Sequence, residues 1–468
     1  MTTQTTTRNS PINPRASLAV VLGTLLPVLD LGLTNISLPS LAAGLRIAES
    51  QAVWISTTYQ LVCAATLMVA SALSYILGSK RVYLAGLLLF TLGSLGSALA
   101  PDFAVMMGCR VLQGAGAAAL LALGPALLRT IYPPNRLGRA VALNALVVAG
   151  GLAAGPSLGG IVLFFADWRW IFALNLPVGL MAIWLTQDSF TAESLRKSRF
   201  DWQGALYSAL VMAALMLALE RLGHGSGAVF PAVLTALAVI FSVLFVYRQR
   251  KAPQPLLPLE IFSQTRFSLS IITTLLAFTA QGLVFVTLSF LYQSQFNFSP
   301  LKAALLFAPW PVSLLLSGPL AGRLSDRINP ALLSSVGLLA FLSGLTVLAW
   351  GSHVQSLPAL VTGSLWCGLG YGFFQAPNNH EIMTNAPIAL SSTASGVLAT
   401  VRTLGQSFGS AAFAFAWAFY GRRIDLTLWV AFAFTLVALA SSTARLKYGR
   451  GSPVPDTPIN GGTVPECQ

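Results

Sequence analysis

Long apolar stretches separated by short polar loops make up most of this sequence. Stretches of about 20 residues, enough for a helix to cross a bilayer, lie near 16–39, 51–77, 82–100, 103–131, 139–164 and 168–187. Two more lie near 202–220 and 228–247, and a last group lies near 267–292, 300–322, 331–350, 357–377, 392–419 and 425–443. The pattern predicts about fourteen transmembrane helices.

Polar connectors divide these helices into groups of six, two and six. Arg196, Lys197 and Arg199 precede the middle pair, a basic stretch follows it, and the sequence turns polar from Arg445 onwards. We expect an all-α integral membrane protein of two six-helix bundles plus two extra central helices, with substrate bound between the bundles. The predicted units are 1–190 (N-terminal bundle), 191–258 (linker with the extra pair), 259–445 (C-terminal bundle) and 446–468 (disordered cytoplasmic tail).

Composition supports a membrane protein and limits the other classes. Hydrophobic residues make up 55% of the chain and charged residues 9%, too few to cover a water-exposed surface. A net charge of +13 could indicate a nucleic-acid partner, but the Lys and Arg residues concentrate in alternate loops. That distribution follows the positive-inside rule, so it predicts two cytoplasmic termini and no nucleic-acid partner.

Two further features concern processing and cysteine chemistry. Residues 8–29 resemble a signal peptide, but Asp30 and many apolar stretches follow, which favours an uncleaved first helix. The cysteines Cys63, Cys109, Cys367 and Cys467 show no metal-ligand spacing. We expect no structural disulfide, no metal and no cofactor.

The fifth predicted helix carries a glycine motif. Gly151, Gly155 and Gly159 recur every four residues, with Pro156 and Gly160 beside them. A helix face without side chains lets another backbone approach closely, and proline removes one helical hydrogen bond. The motif therefore predicts either a conformational hinge or simple packing of small residues.

This GxxxGPxxGG pattern is similar to the antiporter motif of the major facilitator superfamily. Several other segments resemble the fourteen-span drug:proton antiporters of the QacA/EmrB type, and the resemblance covers roughly residues 15–445. The segments are 29–39, 110–116, 168–179, 200–204, 257–262, 370–379 and 402–409. The resemblance implies a major facilitator fold and proton-driven export of hydrophobic, cationic compounds across a bacterial inner membrane, by a protein expected to be a monomer.

A short loop motif occurs once in each predicted bundle, at 74–81 and at 322–328. The second copy contains Asp326 and Arg327, and the resemblance implies a conformational role for them. Tyr75 and Ile76 stand in the first copy where the family has an Asp-Arg pair. Any latch formed by that pair is not expected in the N-terminal bundle. The later predicted helices also lack acidic residues at their centres, which argues against export of divalent cations.

Asp30 and Arg110 are charged residues inside predicted helices. A charge at the bilayer centre costs at least ~2.5–3.5 kcal/mol, so each needs a partner or a function. Asp30 lies about 14 Å along the helix from Pro39, and Arg110 about 10 Å into its own helix, so their depths agree. A structural salt bridge is one interpretation, and a proton-coupling pair is what the resemblance implies.

Polar and aromatic residues within the apolar stretches are candidate substrate ligands. Gln113 shares a helix face with Arg110 through its i, i+3 spacing, and that face is expected to line the cavity. The other candidates are Tyr59, Gln60, Asn144, Gln281, Gln375 and the aromatic faces of Trp54, Trp310 and Trp366. Bonding between helices, or packing at the membrane interface, is the alternative for each.

Two acidic residues have simpler interpretations. Glu220 beside Arg221 is expected to be a solvated pair, and Glu381 to mark the inner end of its helix.

Three functions compete: a secondary exporter, an uncoupled or proton-symport permease for a small metabolite on the same fold, and a polytopic membrane enzyme. The sequence contains no nucleotide-binding GxxxxGK[ST] loop, which argues against ATP-driven transport within this chain. No catalytic triad or paired carboxylate cluster is visible, so we do not expect an enzyme. The glycine motif and Asp30 favour antiport, through the resemblance.

Overall fold

The computed structural model is entirely helical in the part it describes. It describes residues 13–132, 137–189, 201–223, 229–252, 255, 257, 259–325, 327–386, 391–420 and 424–448. The predicted tail from residue 449, the connector 190–200 and Asp326 lie outside these ranges, as do the side chains of Asn144 and Glu220.

Each predicted span corresponds to one helix or to two consecutive helices. The first bundle contains α1 (Pro14–Leu45), α2 (Glu49–Leu77), α3 (Ser79–Ala98), α4 (Phe103–Ile131), α5 (Leu137–Phe165), α6 (Arg169–Ala173) and α7 (Asn175–Ser189). The middle pair is α8 (Trp202–Gly223) and α9 (Val229–Lys251). The second bundle contains α10 (Thr265–Phe290), α11 (Pro300–Phe307), α12 (Pro309–Ser325), α13 (Pro330–His353), α14 (Leu357–Thr384), α15 (Ser391–Tyr420) and α16 (Ile424–Ala444).

Helix starts follow the local sequence. Asn13 accepts hydrogen bonds from the first backbone amides of α1, and Asp102 and Asn329 do the same for α4 and α13. Pro14 and Pro330 occupy the first helical position, where a missing amide hydrogen costs nothing.

Two predicted continuous helices are interrupted, and proline explains both interruptions. The span predicted near 300–322 divides at Ala308, because Pro309 cannot donate to the carbonyl of Leu305. The span near 168–187 divides at Leu174, since Pro177 cannot donate to the carbonyl of Ala173.

Among the described residues, 11 helical segments are long and apolar enough to cross a membrane. Shorter apolar segments lie at Ala154–Phe165 and Trp202–Leu215. The architecture is that of a multi-pass membrane protein, and the count of fourteen transmembrane helices stays a prediction.

Burial distinguishes central from peripheral helices. In the most apolar part of α10, 83% of the residues are buried inside the protein, against 17% in α9. α10 is therefore enclosed by other helices, whereas α9 lies at the periphery. α8 packs against α9, α2 and α15, which places the middle pair beside the junction of the bundles.

The start of α8 is tied to the end of α9 by a buried carboxylate. Asp201 accepts hydrogen bonds from Arg248 Nε at 2.8 Å and from Gln249 Nε2 at 2.9 Å.

We call the side of the molecule where α1 begins the near face, and the opposite side the far face. On the near face the start of α1 meets the end of α7, where Arg15 contacts Asp188 at 3.2 Å. On the far face the two bundles touch, since Gln293 donates to the carbonyl of Ile36 at 2.6 Å and Ser294 to Glu49 at 2.8 Å.

Candidate functional site: a buried Asp30–Arg110 network

Asp30 and Arg110 form a salt bridge in the middle of the first bundle. Arg110 Nη1 lies 2.7 Å from Asp30 Oδ2, and both side chains are completely buried. The sequence predicted similar depths for the two residues, and the structure places them in contact. Their role in proton coupling stays a prediction.

Neutral polar groups complete the coordination of this pair. Asp30 Oδ1 accepts from Asn175 Nδ2 at 2.8 Å, and Arg110 Nε donates to the carbonyl of Ile55 at 3.0 Å. Gln113 accepts from Arg110 at 2.7 Å and donates to Ser94 at 2.7 Å. Five helices, α1, α2, α3, α4 and α7, therefore contribute to one buried network.

Aromatic rings cover the faces of the guanidinium. Arg110 Cζ lies 4.4 Å from the ring centroid of Tyr59 and 5.6 Å from that of Phe172. The Tyr59 hydroxyl donates to the carbonyl of Pro27 at 3.1 Å, which fixes the ring against α1. Arg110 Nη2 is buried without a hydrogen-bond partner. The network therefore retains one unused donor beside the carboxylate.

The glycine motif of α5 brings two backbones into contact. A Cβ added to Gly155 would lie 2.8 Å from the Cα of Gly32 on α1, and one added to Gly159 would lie 2.5 Å from Ile36. A Cβ on Gly151 would lie 3.1 Å from Leu25. The glycine face of α5 therefore lies against α1, and its conformational role stays a prediction.

Gly160 faces the other bundle. A Cβ there would lie 2.3 Å from Ala304 and 2.8 Å from the carbonyl of Pro300, both on α11. Pro156 is buried within α5 between these contacts. α5 therefore packs closely on the carboxylate-bearing helix of its own bundle and on α11 of the second bundle.

The remaining predicted ligands lie in different surroundings. Gln60 is buried and donates to Ser56, whose hydroxyl donates to Asn35. Gln281 is 1% exposed and its Oε1 has no hydrogen-bond partner. Gln375 on α14 is half-buried, and Asn144 lies on α5. No described hydrogen bond joins Gln60, Gln281 or Gln375 to Asp30, and the contacts of all four residues with substrate stay predictions.

The predicted tryptophans separate into buried and exposed positions. Trp310 is completely buried, with ring centroids 5.2 Å from Phe285 and 5.6 Å from Phe341, and Trp54 is also buried. Trp366 is 50% exposed and donates to Ser343 on α13 at 2.7 Å. The structure thus places Trp366 apart from the other two. Arg327 is exposed at the end of α12.

A second buried network lies at the near face of the second bundle, and the sequence reasoning missed it. Arg445 is completely buried, and its Nη1 lies 3.0 Å from Glu381 Oε2. Arg266 Nε lies 3.1 Å from the other oxygen of Glu381. Asn378 accepts from Arg445 at 2.7 Å and donates to Thr274 at 2.7 Å.

The interpretation of Glu381 as a simple helix end was therefore incomplete, and no interaction of Arg445 was predicted. Arg445 follows the apolar stretch directly, so it resembles an interfacial residue, yet hydroxyl groups of three helices surround it. They belong to Ser270, Ser334 and Ser442. The i, i+3 spacing of Asn378 and Glu381 on one helix face was the available signal.

Comparison with known proteins identifies the family. The profile of the Major Facilitator Superfamily matches residues 20–410. This chain belongs to that superfamily. It is 36% identical over 398 residues to "Uncharacterized transporter YebQ" of Escherichia coli (strain K12), which covers 85% of this chain and 87% of the relative.

Two further relatives have names that refer to drug resistance or to a transported compound. "Multidrug resistance protein Stp" of Mycobacterium tuberculosis (strain CDC 1551 / Oshkosh) is 32% identical over 399 residues, covering 84% of this chain and 74% of that protein. "Riboflavin transporter RibZ" of Clostridioides difficile (strain 630) is 29% identical over 396 residues, covering 84% of this chain and 86% of that protein. The family and these relatives identify a multi-pass membrane transporter related to drug exporters, and they favour transport over catalysis.

Proposed function

We propose that this superfamily member is a proton-driven exporter of hydrophobic, drug-like compounds. In this proposal it belongs to the fourteen-span drug:proton antiporters, and it works in a bacterial inner membrane with both termini cytoplasmic. The near face is then the cytoplasmic face.

The observation that carries the proposal is the buried Asp30–Arg110 salt bridge. A carboxylate with no access to water stays ionised only while its partners compensate the charge. Protonation of Asp30 removes its charge and leaves the buried Arg110 cation with only neutral acceptors, the carbonyl of Ile55 and the side chain of Gln113. A proton can therefore be taken up on one side of the membrane and released on the other only if the surroundings of this pair change. In this way proton binding is coupled to the conformation of the protein.

The position of α1 supports such coupling. Gly32, which contacts Gly155 on α5, lies two residues after Asp30 on the same helix. A shift of α1 that opens the Asp30 site also shifts the α1–α5 contact. α5 in turn contacts α11, so the change reaches the junction of the two bundles. We infer that α5 transmits proton binding to alternating access.

The substrate class rests on two observations. The second bundle contains a large buried aromatic cluster that includes Phe285, Trp310, Phe341 and Tyr371. The relative Stp is named for multidrug resistance. The cationic charge predicted from the sequence stays a prediction, because Asp30, Asp201 and Glu381 each already have an arginine partner.

Everted membrane vesicles provide the test. Respiration acidifies the vesicle interior, and an antiporter that carries drug inward must carry protons out. Drug addition should therefore raise the internal pH in vesicles that contain this protein, and vesicles with Asp30→Asn should show no such rise. A wild-type protein that accumulates drug without any proton movement would contradict the proposal.

A permease for a small aromatic metabolite is the second candidate, and the relative RibZ, named as a riboflavin transporter, favours it. The direction of transport separates the two functions. An exporter accumulates its substrate in everted vesicles, whereas a permease for uptake accumulates it in right-side-out vesicles.

A further inference from the structure

Arg402 is a cation deep in the second bundle. It lies on α15 about 16 Å along the helix from Ser391, near the middle of the 30-residue helix. The side chain is half-buried, and its Nε is buried without a hydrogen-bond partner. A guanidinium at this depth is costly unless an anion or a set of acceptors compensates it.

Three other arginines with buried or nearly buried side chains have such compensation. Arg110 has Asp30 at 2.7 Å, and both Arg266 and Arg445 contact Glu381. Arg402, in contrast, has no ion-pair partner among the residues that the structure describes. The difference indicates that the described residues leave the Arg402 guanidinium open to a bound anion.

The neighbours of Arg402 are aromatic and include a second unused donor. Its Cζ lies 5.5 Å from the ring centroid of Phe278 on α10, and the Tyr371 ring on α14 lies 5.5 Å from that same ring. The Tyr371 hydroxyl is buried without a hydrogen-bond partner. Leaving a buried donor unsatisfied costs about 1–3 kcal/mol, so two such donors around one ring indicate a site that a ligand completes.

The chemistry of the groups defines the ligand. A guanidinium and a phenolic hydroxyl can both donate hydrogen bonds, so they match a group that only accepts hydrogen bonds. A carboxylate is the strongest acceptor of this kind. Phe278, Tyr371 and Trp310, whose ring centroid is 6.4 Å from that of Tyr371, form apolar surfaces beside these donors. An aromatic ring system fits such surfaces.

We propose that Arg402 and Tyr371 bind a carboxylate, or an equivalent oxyanion, on an aromatic substrate beside the Phe278 ring of the second bundle. This inference rests on the proposed function and assigns a chemical group to its substrate. The negative group proposed here differs from the cationic substrate charge that the sequence predicts. A zwitterionic substrate carries both charges. Arg402 is half-buried whereas Tyr371 is completely buried, so a carboxylate that enters from solvent meets the guanidinium before the hydroxyl.

Binding of two matched dyes to the purified full-length protein tests the proposal. Rhodamine B carries a carboxylate beside its xanthene cation, and its ethyl ester has the same rings without the negative charge. Fluorescence polarisation in lipid nanodiscs should show wild-type protein binding the acid about tenfold or more tightly than the ester, the effect of a hydrogen bond to a charged group. Arg402→Gln should abolish that preference while leaving ester binding within about twofold.

Two variants control for folding and for the loss of a positive charge. Tyr371→Phe removes one hydroxyl from a packed ring and should reduce the preference for the acid severalfold, even if Arg402→Gln does not fold. Lys302→Gln removes a cation at the start of α11, where Lys302 lies 3.6 Å from the Phe298 ring, and should leave the preference unchanged.

Equal wild-type affinity for the two dyes, or equal weakening of both by Arg402→Gln, would overturn the assignment. A transport measurement with the same two dyes distinguishes failure of the carboxylate site from failure of the proposed exporter function. If everted vesicles accumulate both dyes without preference, the exporter function is supported and the carboxylate site is contradicted. If vesicles accumulate neither dye while the purified protein still prefers the acid over the ester, the carboxylate site is supported and the exporter function is contradicted.

Discussion

Gly32 on α1 and Gly155 on α5 are in direct backbone contact, since a Cβ added to Gly155 would lie 2.8 Å from the Cα of Gly32. No side chain fits between the two helices at this point. Because Asp30 is only two residues away on α1, the proton site and the helix contact move together.

Gly155→Ala should therefore impair transport strongly. The added methyl must push α1 and α5 apart, and overpacking of this kind costs roughly 1–3 kcal/mol. We expect a lower thermal unfolding temperature and loss of most drug accumulation in everted vesicles, with normal insertion. Gly150→Ala is the matched control on the same helix, because a Cβ at Gly150 has no neighbour within 4 Å. Equal transport by the two variants would contradict a role for the α1–α5 contact.

The glycine contact could be predicted from sequence because its spacing defines a helix face directly. The depths of Asp30 and Arg110 could be predicted too, since an apolar stretch fixes where each residue lies along its helix. The Arg445 network could not, because its partners Ser270 and Glu381 are distant in the chain and the residue stands at the edge of an apolar stretch. Only the packing of α10, α14 and α16 reveals that this edge is buried.

The break at Ala308 shows another limit. Pro309 is visible in the sequence, but prolines at 27, 125 and 156 lie within α1, α4 and α5 without dividing them. Transmembrane helices tolerate proline when neighbouring groups satisfy the freed carbonyl. Whether a proline divides a helix therefore depends on tertiary packing, which the sequence pattern does not contain.

Glu381→Gln should destabilise the protein markedly. The substitution leaves the buried Arg445 and its neighbour Arg266 without their shared carboxylate, and breaking a buried ion pair on one side costs about 3–5 kcal/mol. The thermal unfolding temperature in detergent should fall clearly. Asp167→Asn provides the comparison, because Asp167 pairs with Arg169 on the surface and exposed pairs contribute about 0–1 kcal/mol. Similar unfolding temperatures for the two variants would mean that Glu381 is not structurally important.

The proposed orientation predicts the position of two basic segments. The connector with Arg196, Lys197 and Arg199, and the end of α9 with Arg248, Arg250 and Lys251, should both be cytoplasmic. Fluorescent-protein fusions after Gln187 and after Lys251 should fluoresce, and alkaline phosphatase fusions at the same sites should be inactive. Phosphatase activity at either site would contradict the assignment of the near face to the cytoplasm.

Asp30→Asn provides the most direct test of coupling. Asparagine has nearly the size of aspartate and can still accept a hydrogen bond from Asn175 or Arg110, so the packing of the five helices should survive. It cannot bind and release a proton. We expect drug-induced proton movement in everted vesicles to disappear, while drug binding to the purified protein persists. Arg110 then lacks its carboxylate, so a loss of stability of about 3–5 kcal/mol, as for any broken buried ion pair, should accompany the change.

Asp201→Asn is the matched control for that experiment. Asp201 is also a buried carboxylate paired with arginine, at 2.8 Å from Arg248, but it lies in the α8–α9 pair, away from the Asp30 network. It should keep proton-coupled transport close to the wild-type rate even if its stability falls. Proton-driven export by Asp30→Asn at the parental rate would place the coupling carboxylate elsewhere, and Glu220 would be the next residue to substitute. Loss of proton movement in both variants would instead indicate a general structural defect, so the assignment of coupling to Asp30 requires that the two variants differ.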